Sequence, residues 1–518
     1  MIKGIINFYL AAGLHKRLKE IKRIYANPVK LQEEALFSIL DKAGHTEFGR
    51  KYGFSSIKSV KTYQQQLPLF RYNDIRPWIE KTIKGKSNVL WQGRILNFAL
   101  TSGTTSGNKY IPISQELIDT NRKAALDCAA FYLKESGEKS ILNGRVVFLG
   151  GSTALGRLES GAFAGDLSGI ISKHIPFMLR CVYEPGGKLA SISDWERKII
   201  KIAQKEVDVD IKGVFGIPSW LLVFFKRLLK EASRKKGRNI NTVAEVWPGL
   251  SLLVHGGVGF KPYRHIFDEV IGKKIYHLET YPASEAFIAI QDRKDEAGLL
   301  LMLDYGIFYE FIPEEEIKKQ NPARLTIADV EIDKNYAIVV TNNSGLYSYL
   351  LGDTVKFTEL NPPRLIVTGR VENFLSAFGE HLIVEEAEDA VSYACDRTNS
   401  EIEEFTTAPF FPGKRDELPY HQWLIEFRKR PRDLEEFARL VDEKLKEEND
   451  DYKIHRGKNL SIGEPQIIEL TKGTFYNWMK SEGKLGGQHK VPRLKNDRSI
   501  AGQLLKGRLP AGKAEFSP

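Results

Sequence analysis

With 518 residues the chain is longer than one hydrophobic core organises, so two or more domains are expected. Hydrophobic residues at 42% and charged residues at 27% are ordinary for a folded globular protein and exclude an intrinsically disordered one. The net charge of +10 is scattered. Basic clusters such as Arg234, Lys235, Lys236 and Arg238 carry no interleaved aromatics and no zinc-finger or RNA-recognition signature, so nucleic acid is not an expected partner.

At the N-terminus, MIKGIINFYLAAGLHKRLKE has a basic start but a short apolar segment and no small-residue cleavage site, which argues against a signal peptide. No apolar run approaches the roughly 20 residues that a membrane helix needs. Cys128, Cys181 and Cys395 lack CxxC spacing, which fits a reducing, cytoplasmic setting rather than a disulfide or zinc framework.

Residues 1–95 show helical spacing, as in VKLQEEALFSILDKAG, punctuated near Pro68 and Pro77. From about 95 to 370 short apolar runs take over: ILNFAL, RVVFLG, IKGVFGI, LSLLVHGG, KKIYHLE and LLLMLDYGIFYEFI. They alternate with helical segments such as WERKIIKIAQKEV and WLLVFFKRLLKEASRK, the pattern of a sheet covered by helices. Between Arg324 and Thr368, RLTIADVEI, YAIVVTN, GLYSYLLGDTVKFTEL and RLIVTG follow one another through turns and predict antiparallel β structure. After GRVENFLSAFGEHL comes a helix at IVEEAEDAVSYAC, strands near HQWLIEF and QIIEL, and a charged helix, DLEEFARLVDEKLKEEND. The expectation is an α/β protein: a large N-terminal domain, 1–372, with a β-rich subdomain, and a small α+β domain, 373–518.

Residues 101–114, TSGTTSGNKYIPIS, raise the question of phosphate binding. A Walker loop, GxxxxGK[ST], is excluded, because counting from Gly103 places Asn108 at the second glycine and Tyr110 at the required hydroxyl. The predicted context also differs, since a Walker loop runs from strand to helix and this segment runs from strand to strand, with a helix only after Ser114. What remains is a loop of hydroxyls and glycines with Lys109 at its end, open to two readings: a phosphate clasp or an ordinary turn. No GxSxG elbow, HExxH pair or Rossmann fingerprint appears elsewhere.

TSGTTSGNKYIP resembles the signature loop of the adenylate-forming superfamily, and within it the auxin-responsive acyl-acid amido synthetase family, including its bacterial members. The plant motif places its lysine one residue further from the second glycine than Lys109 lies from Gly107. The resemblance implies that Ser102, Gly103, Thr104, Thr105, Ser106, Gly107 and Lys109 hold the nucleotide's phosphates. YPASE, 281–285, is similar to the second motif, which would set Tyr281 against adenine with Ala283 beside it, Ser284 at the α-phosphate and Glu285 on Mg2+. YLLGD, 349–353, is similar to the third, with Leu350 where the family often has arginine and Asp353 on the ribose.

GRVENFLSAFGEHL resembles the superfamily hinge, with Arg370 on the ribose and a mobile small domain beyond it. GGQHKVPRL, 486–494, resembles the segment bearing the catalytic lysine, here Lys490. HGGVGFKPYR and GIPSWLLVFF are similar to segments bordering the acyl pocket, which would place Gly256, Gly257 and Trp220 there. The resemblance thus implies an ATP- and Mg2+-dependent ligase that adenylates a carboxylic acid and passes the acyl group to an amine, with a small acid and an amino acid as substrates. Two alternatives stay open on sequence: a thiol acceptor, as in acyl-CoA ligases, and an inactive nucleotide-binding regulator.

Overall fold

The computed structural model describes residues 2–101, 109–138, 140–176, 179–257, 260, 263–294, 298–317, 319–370, 374–380, 382–413, 417–457, 461–482 and 491–505. The chain divides into two compact units, Met1–Val371 and Glu372–Pro518. Among the described residues no helix is long and apolar enough to cross a membrane.

The first unit starts with the helices Ile2–Ile24, Pro28–Ala43, Glu47–Lys51, Val60–Gln66 and Tyr72–Ile83. Pro28–Ala43 shows how the sequence sets them. Asn27 caps it by accepting from Lys30 N at 3.1 Å, Pro28 fills the first turn where no donor is needed, and Leu36, Ile39, Leu40 and Ala43 bury one face. That face packs on strands far along the chain. Gln32, buried on the same helix, donates to Ile307 O at 2.9 Å and Leu303 O at 3.2 Å and accepts from Tyr309 N at 2.8 Å. Phe70 extends the contact, its N–H bonding Ser348 O at 2.8 Å while its carbonyl accepts from Leu350 N at 2.9 Å.

An eleven-stranded sheet forms the centre. Its order is Ile307–Pro313, Asn335–Asn342, Tyr349–Leu360, Pro363–Arg370, Leu299–Leu301, Phe287–Ile290, Tyr276–Pro282, Leu252–Gly256, Ile211–Gly216, Arg145–Leu149 and Tyr183–Glu184. The first seven strands pair antiparallel and the last five parallel, so Tyr276–Pro282 belongs to both halves. The helices Trp195–Glu206 and Pro218–Lys236 flank the strand Ile211–Gly216 in the chain. A second sheet, in the order Lys109–Ile113, Asn97–Thr101, Phe163–Gly165, Gly156–Arg157, carries the hairpin of the opening loop.

Two expectations are corrected. RLTIADVEI is not a strand; only Leu325 and Ile332 form isolated bridges, because the Asp329 carboxylate accepts from Thr326 N at 2.9 Å and Thr326 Oγ1 at 2.7 Å and folds the segment into a turn. LLLMLDYGIFYEFI is two strands, separated where Gly306 turns with φ +68°. In the second unit the helices Val384–Thr398 and Leu434–Glu448 accompany a three-stranded sheet, Glu401–Phe410, Tyr420–Lys429 and Gln466–Leu470. The first of these strands, EIEEFTTAPF, escaped the sequence reading because its exposed half is acidic and only Phe405–Pro409 is buried.

Candidate functional site

The opening loop sits on a hairpin. Asn97–Thr101 pairs antiparallel with Lys109–Ile113, Thr101 facing Lys109, so the strand–loop–strand expectation holds at both ends of the loop. Ser114 then caps the helix Gln115–Ser136, its Oγ accepting from Leu117 N at 3.0 Å. Lys109 Nζ lies 5.6 Å from the centre of the Tyr72 ring, whose hydroxyl accepts from Tyr110 N at 2.8 Å. Ser102, Gly103, Thr104, Thr105, Ser106 and Gly107 lie outside the described residues, as do Lys490 and the Arg370 side chain.

In the large sheet three parallel strands end in register, with Gly216 opposite His255 and Gly256 opposite Thr280. Glycine at 256 is dictated by close approach, since a Cβ there would lie 2.4 Å from Thr280 O and 2.6 Å from Thr280 Oγ1. Gly257 follows with φ +85°. Tyr281 and Pro282 close the strand that both halves share, and Ala283, Ser284 and Glu285 form the tight turn into Phe287–Ile290, closed by Ala283 N to Ala286 O at 2.8 Å. A crevice at the carboxyl end of strands where a sheet changes its connection pattern is where α/β proteins bind ligands. The YPASE turn starts at the carboxyl end of the strand where the parallel and antiparallel halves of the sheet meet.

Tyr281 and Asp353 meet: the Tyr281 hydroxyl donates to Asp353 Oδ2 at 2.6 Å, and both residues are buried. Four strand spacings separate them in the sheet order, roughly 19 Å if it were flat. The sheet therefore folds back on itself, helped by three- and four-residue strands at Leu299–Leu301 and Phe287–Ile290 and by register shifts at Phe287/Ala289, Thr354/Val355 and Phe357/Glu359. Arg370 stands opposite Asp353 on the neighbouring strand. Leu350, in the position of the motif arginine, is buried in an apolar cluster with Ile312, Ile317, Ala337 and Val339, so no cation belongs there.

Trp220 lies in the first turn of the helix after Gly216, its ring edge-on to Trp195 at 4.3 Å. Sequence reasoning missed His255 and Glu279, cross-strand neighbours one residue before Gly256 and two before Tyr281. His255 stacks on Phe260 at 3.8 Å, and burial, with His277 and Arg264 nearby, holds its imidazole well below the usual value. Burial raises the Glu279 carboxyl against the opposing pull of Arg264. The alternation of KKIYHLETYP could have flagged Glu279, and the histidine that ends the apolar run of LSLLVHGG could have flagged His255.

Also missed were Asn342 and Ser344. The Asn342 amide donates to Glu285 O at 2.6 Å, and Ser344 Oγ donates to Pro112 O at 2.6 Å. Four expected segments, the hairpin, Gly256–Gly257, the YPASE turn and Asp353, are thereby linked by direct contacts within the first unit.

Comparison with known proteins returns three matching sequence profiles of one family: the GH3 family N-terminal domain over residues 17–183, its central domain over 300–370 and its C-terminal domain over 385–499. Indole-3-acetic acid-amido synthetase GH3.3 of Arabidopsis thaliana is 22% identical, across 97% of this chain and 95% of its own. Jasmonoyl--L-amino acid synthetase JAR4 of Nicotiana attenuata is 23% identical, across 65% and 68% respectively. Among solved structures, AtGH3.15 acyl acid amido synthetase in complex with 2,4-DB superimposes with a TM-score of 0.61 at 16% identity, covering 97% of each chain. 2-Hydroxyisobutyryl-CoA ligase, in complex with 2-HIB-AMP and CoA, gives 0.54 at 14% identity over 93% of each. These structural likenesses establish the fold, that of adenylate-forming enzymes.

Proposed function

The chain belongs to the GH3 family, and from that premise we propose that it is an ATP-dependent acyl-acid amido synthetase, joining a small carboxylic acid to the amine of an amino acid. The observation that carries the reading is the Tyr281–Asp353 contact, because it unites the adenine-facing and ribose-facing motifs of one nucleotide site.

In the first half-reaction a carboxylate oxygen of the acid attacks the α-phosphorus of ATP, a P–O bond forms, and the bond to the β-phosphate breaks to release pyrophosphate. In the second, the amine nitrogen attacks the acyl carbon, a C–N bond forms, AMP departs and the amine proton passes to solvent or a nearby base. The chain's task in the first step is to orient two anions toward each other. The 102–107 loop and Lys109 hold the phosphates, Asp353 and Arg370 the ribose, and Tyr281 the adenine, with Ala283 beside it and Ser284 at the α-phosphate. Lys490 stabilises the charge that develops on the phosphate. Gly256, Gly257 and Trp220 border the acyl group, and the swivel after Arg370 suits a change from adenylation to transfer.

Among the described residues no group of three or more His, Cys, Asp or Glu could cage a metal. Glu285, the carboxylate of the YPASE turn, fits a cation that arrives with the nucleotide, since Mg2+ keeps most of its shell as water and phosphate oxygen and takes one or two carboxylates. Bound there, Mg2+ would neutralise phosphate charge during the displacement.

The test is acid-dependent ATP–pyrophosphate exchange across a broad panel of carboxylic acids, then product analysis with amino acids and with CoA. Exchange followed by an amide product supports the proposal. A thioester in place of the amide moves the chain to the thiol-acceptor reading, and neither exchange nor ATP binding removes the ligase reading.

A further inference from the structure

We propose that Asn342 is a positioning residue that sets Glu285 at a fixed separation from the phosphate hairpin, and so governs how strongly a divalent cation tightens ATP binding. The inference rests on the nucleotide-site reading above and adds to it a residue on a turn that none of its motifs contains.

The turn Asn342–Leu346 is buried throughout. It closes with Asn342 N bonding Leu346 O at 2.9 Å, while Asn342 Oδ1 accepts from Ser344 N at 2.9 Å and Leu346 N at 3.0 Å. Gly345 has φ +100°, and a Cβ there would come within 2.7 Å of Leu90 Cβ, so the turn packs tightly against the loop that follows the helix Tyr72–Ile83. With its oxygen thus occupied, the Asn342 amide points its nitrogen at Glu285 O, 2.6 Å away.

The other arm of the turn reaches the hairpin. Ser344 Oγ donates to Pro112 O at 2.6 Å and accepts from Ser114 N at 2.7 Å, and Ser114 Oγ donates to Asn343 O at 2.7 Å. Pro112 and Ile113 end the strand that begins at Lys109. One buried turn therefore grips both the peptide of Glu285 and the base of the phosphate hairpin, which come from separate sheets.

A cation shared by a carboxylate and a phosphate tolerates little error in the distance between them, because octahedral Mg2+ demands oxygens at about 2.1 Å. Two turns on different sheets drift independently unless something couples them. Asn342 is the residue able to do so, since an amide supplies an acceptor to its own turn and a donor to Glu285 at once. Aspartate is nearly isosteric but presents only oxygens when ionised, so it would face the Glu285 carbonyl with repulsion.

The experiment is calorimetric titration of the full-length protein with ATP, once in Mg2+ and once in EDTA. For the wild type, Mg2+ tightens binding. For Asn342→Asp, and for Asn342→Ser as a smaller, uncharged change whose hydroxyl can still accept within the turn but is too short to reach Glu285, the Mg2+-dependent tightening falls about tenfold, while affinity in EDTA stays within twofold of wild type. Ser344→Ala, which releases the hairpin instead, weakens binding in both buffers. Wild-type Mg2+ tightening in folded Asn342→Ser overturns the proposal, as does an equal loss in both buffers, which marks a purely structural residue. Absence of ATP binding by the wild type would instead overturn the nucleotide-site reading beneath it.

Discussion

The Tyr281 hydroxyl gives its hydrogen bond to the Asp353 carboxylate across 2.6 Å, joining the last residues of a strand shared by two sheet patterns to the middle of a strand four positions away. In the proposed nucleotide site the bond would give Tyr281 a second task besides facing adenine, that of holding the carboxylate proposed for the ribose.

Tyr281→Phe keeps the ring and removes the donor. A hydrogen bond to a charged group contributes about 1.5–3 kcal/mol, so KM for ATP is expected to rise roughly tenfold or more with a smaller change in kcat. Discrimination against 2′-deoxy-ATP should shrink in the same variant. Unchanged KM and unchanged discrimination would show that the bond does not position Asp353 for the ribose.

Glu285→Ala and Lys490→Ala are each expected to lower pyrophosphate exchange by roughly a hundredfold or more, the scale of a lost transition-state contact. Melting temperatures should stay near wild type, because Glu285 is half-buried on a turn and the bond that holds its peptide, from Asn342, goes to the backbone oxygen that alanine keeps. Exchange near the wild-type rate in both variants would remove these residues from the site.

Gly256→Ala tests the close approach of two strand ends. Its methyl would collide with a backbone carbonyl, Thr280 O, which cannot swing aside like a side chain. Overpacking of this kind costs about 1–3 kcal/mol, read as a lower midpoint in urea with unchanged slope. A midpoint equal to wild type would mean that the strand ends yield freely.

Glu206 supplies a pH test away from the site. It is fully buried, 3.5 Å from Lys205 and close to Glu184, and burial pushes its carboxyl up to about 7. A carboxyl raised in the folded state favours folding when protonated, so this stability is complete below the unfolded value near 4.5 and is lost as pH rises through 7. Glu206→Gln should therefore match wild type near pH 5 and exceed it at pH 8 by on the order of 2 kcal/mol. Parallel stability curves from pH 5 to 8 would contradict the burial argument.

Local pattern carried much of the fold. The apolar runs from ILNFAL to KKIYHLE became strands because β-branched and aromatic residues there have partners on both faces, and Ser114 marked a helix start by the donor it satisfies. RLTIADVEI misled because its β-like composition hides one carboxylate, Asp329, that bonds its own turn. The site was legible as separate motifs and not as a site. Nothing local tells that a sheet will curl enough to bring Tyr281 to Asp353, or that Asn342 in TNNSGLY will face Glu285, since both depend on strand order and register. Leu350 was visible as a departure, but its destination, an apolar cluster, was not.

The bonds from Gln32 to the strand at Ile307 span 275 positions of the chain. Ribosomes add about 5–20 residues per second, so the apolar faces of the first helices wait roughly 15–55 s for the strands that cover them. Leu36, Phe48, Tyr63 and Phe70 are thus hidden in the finished molecule yet exposed through most of its synthesis. The antiparallel half of the sheet cannot be completed by an N-terminal fragment that stops before residue 370.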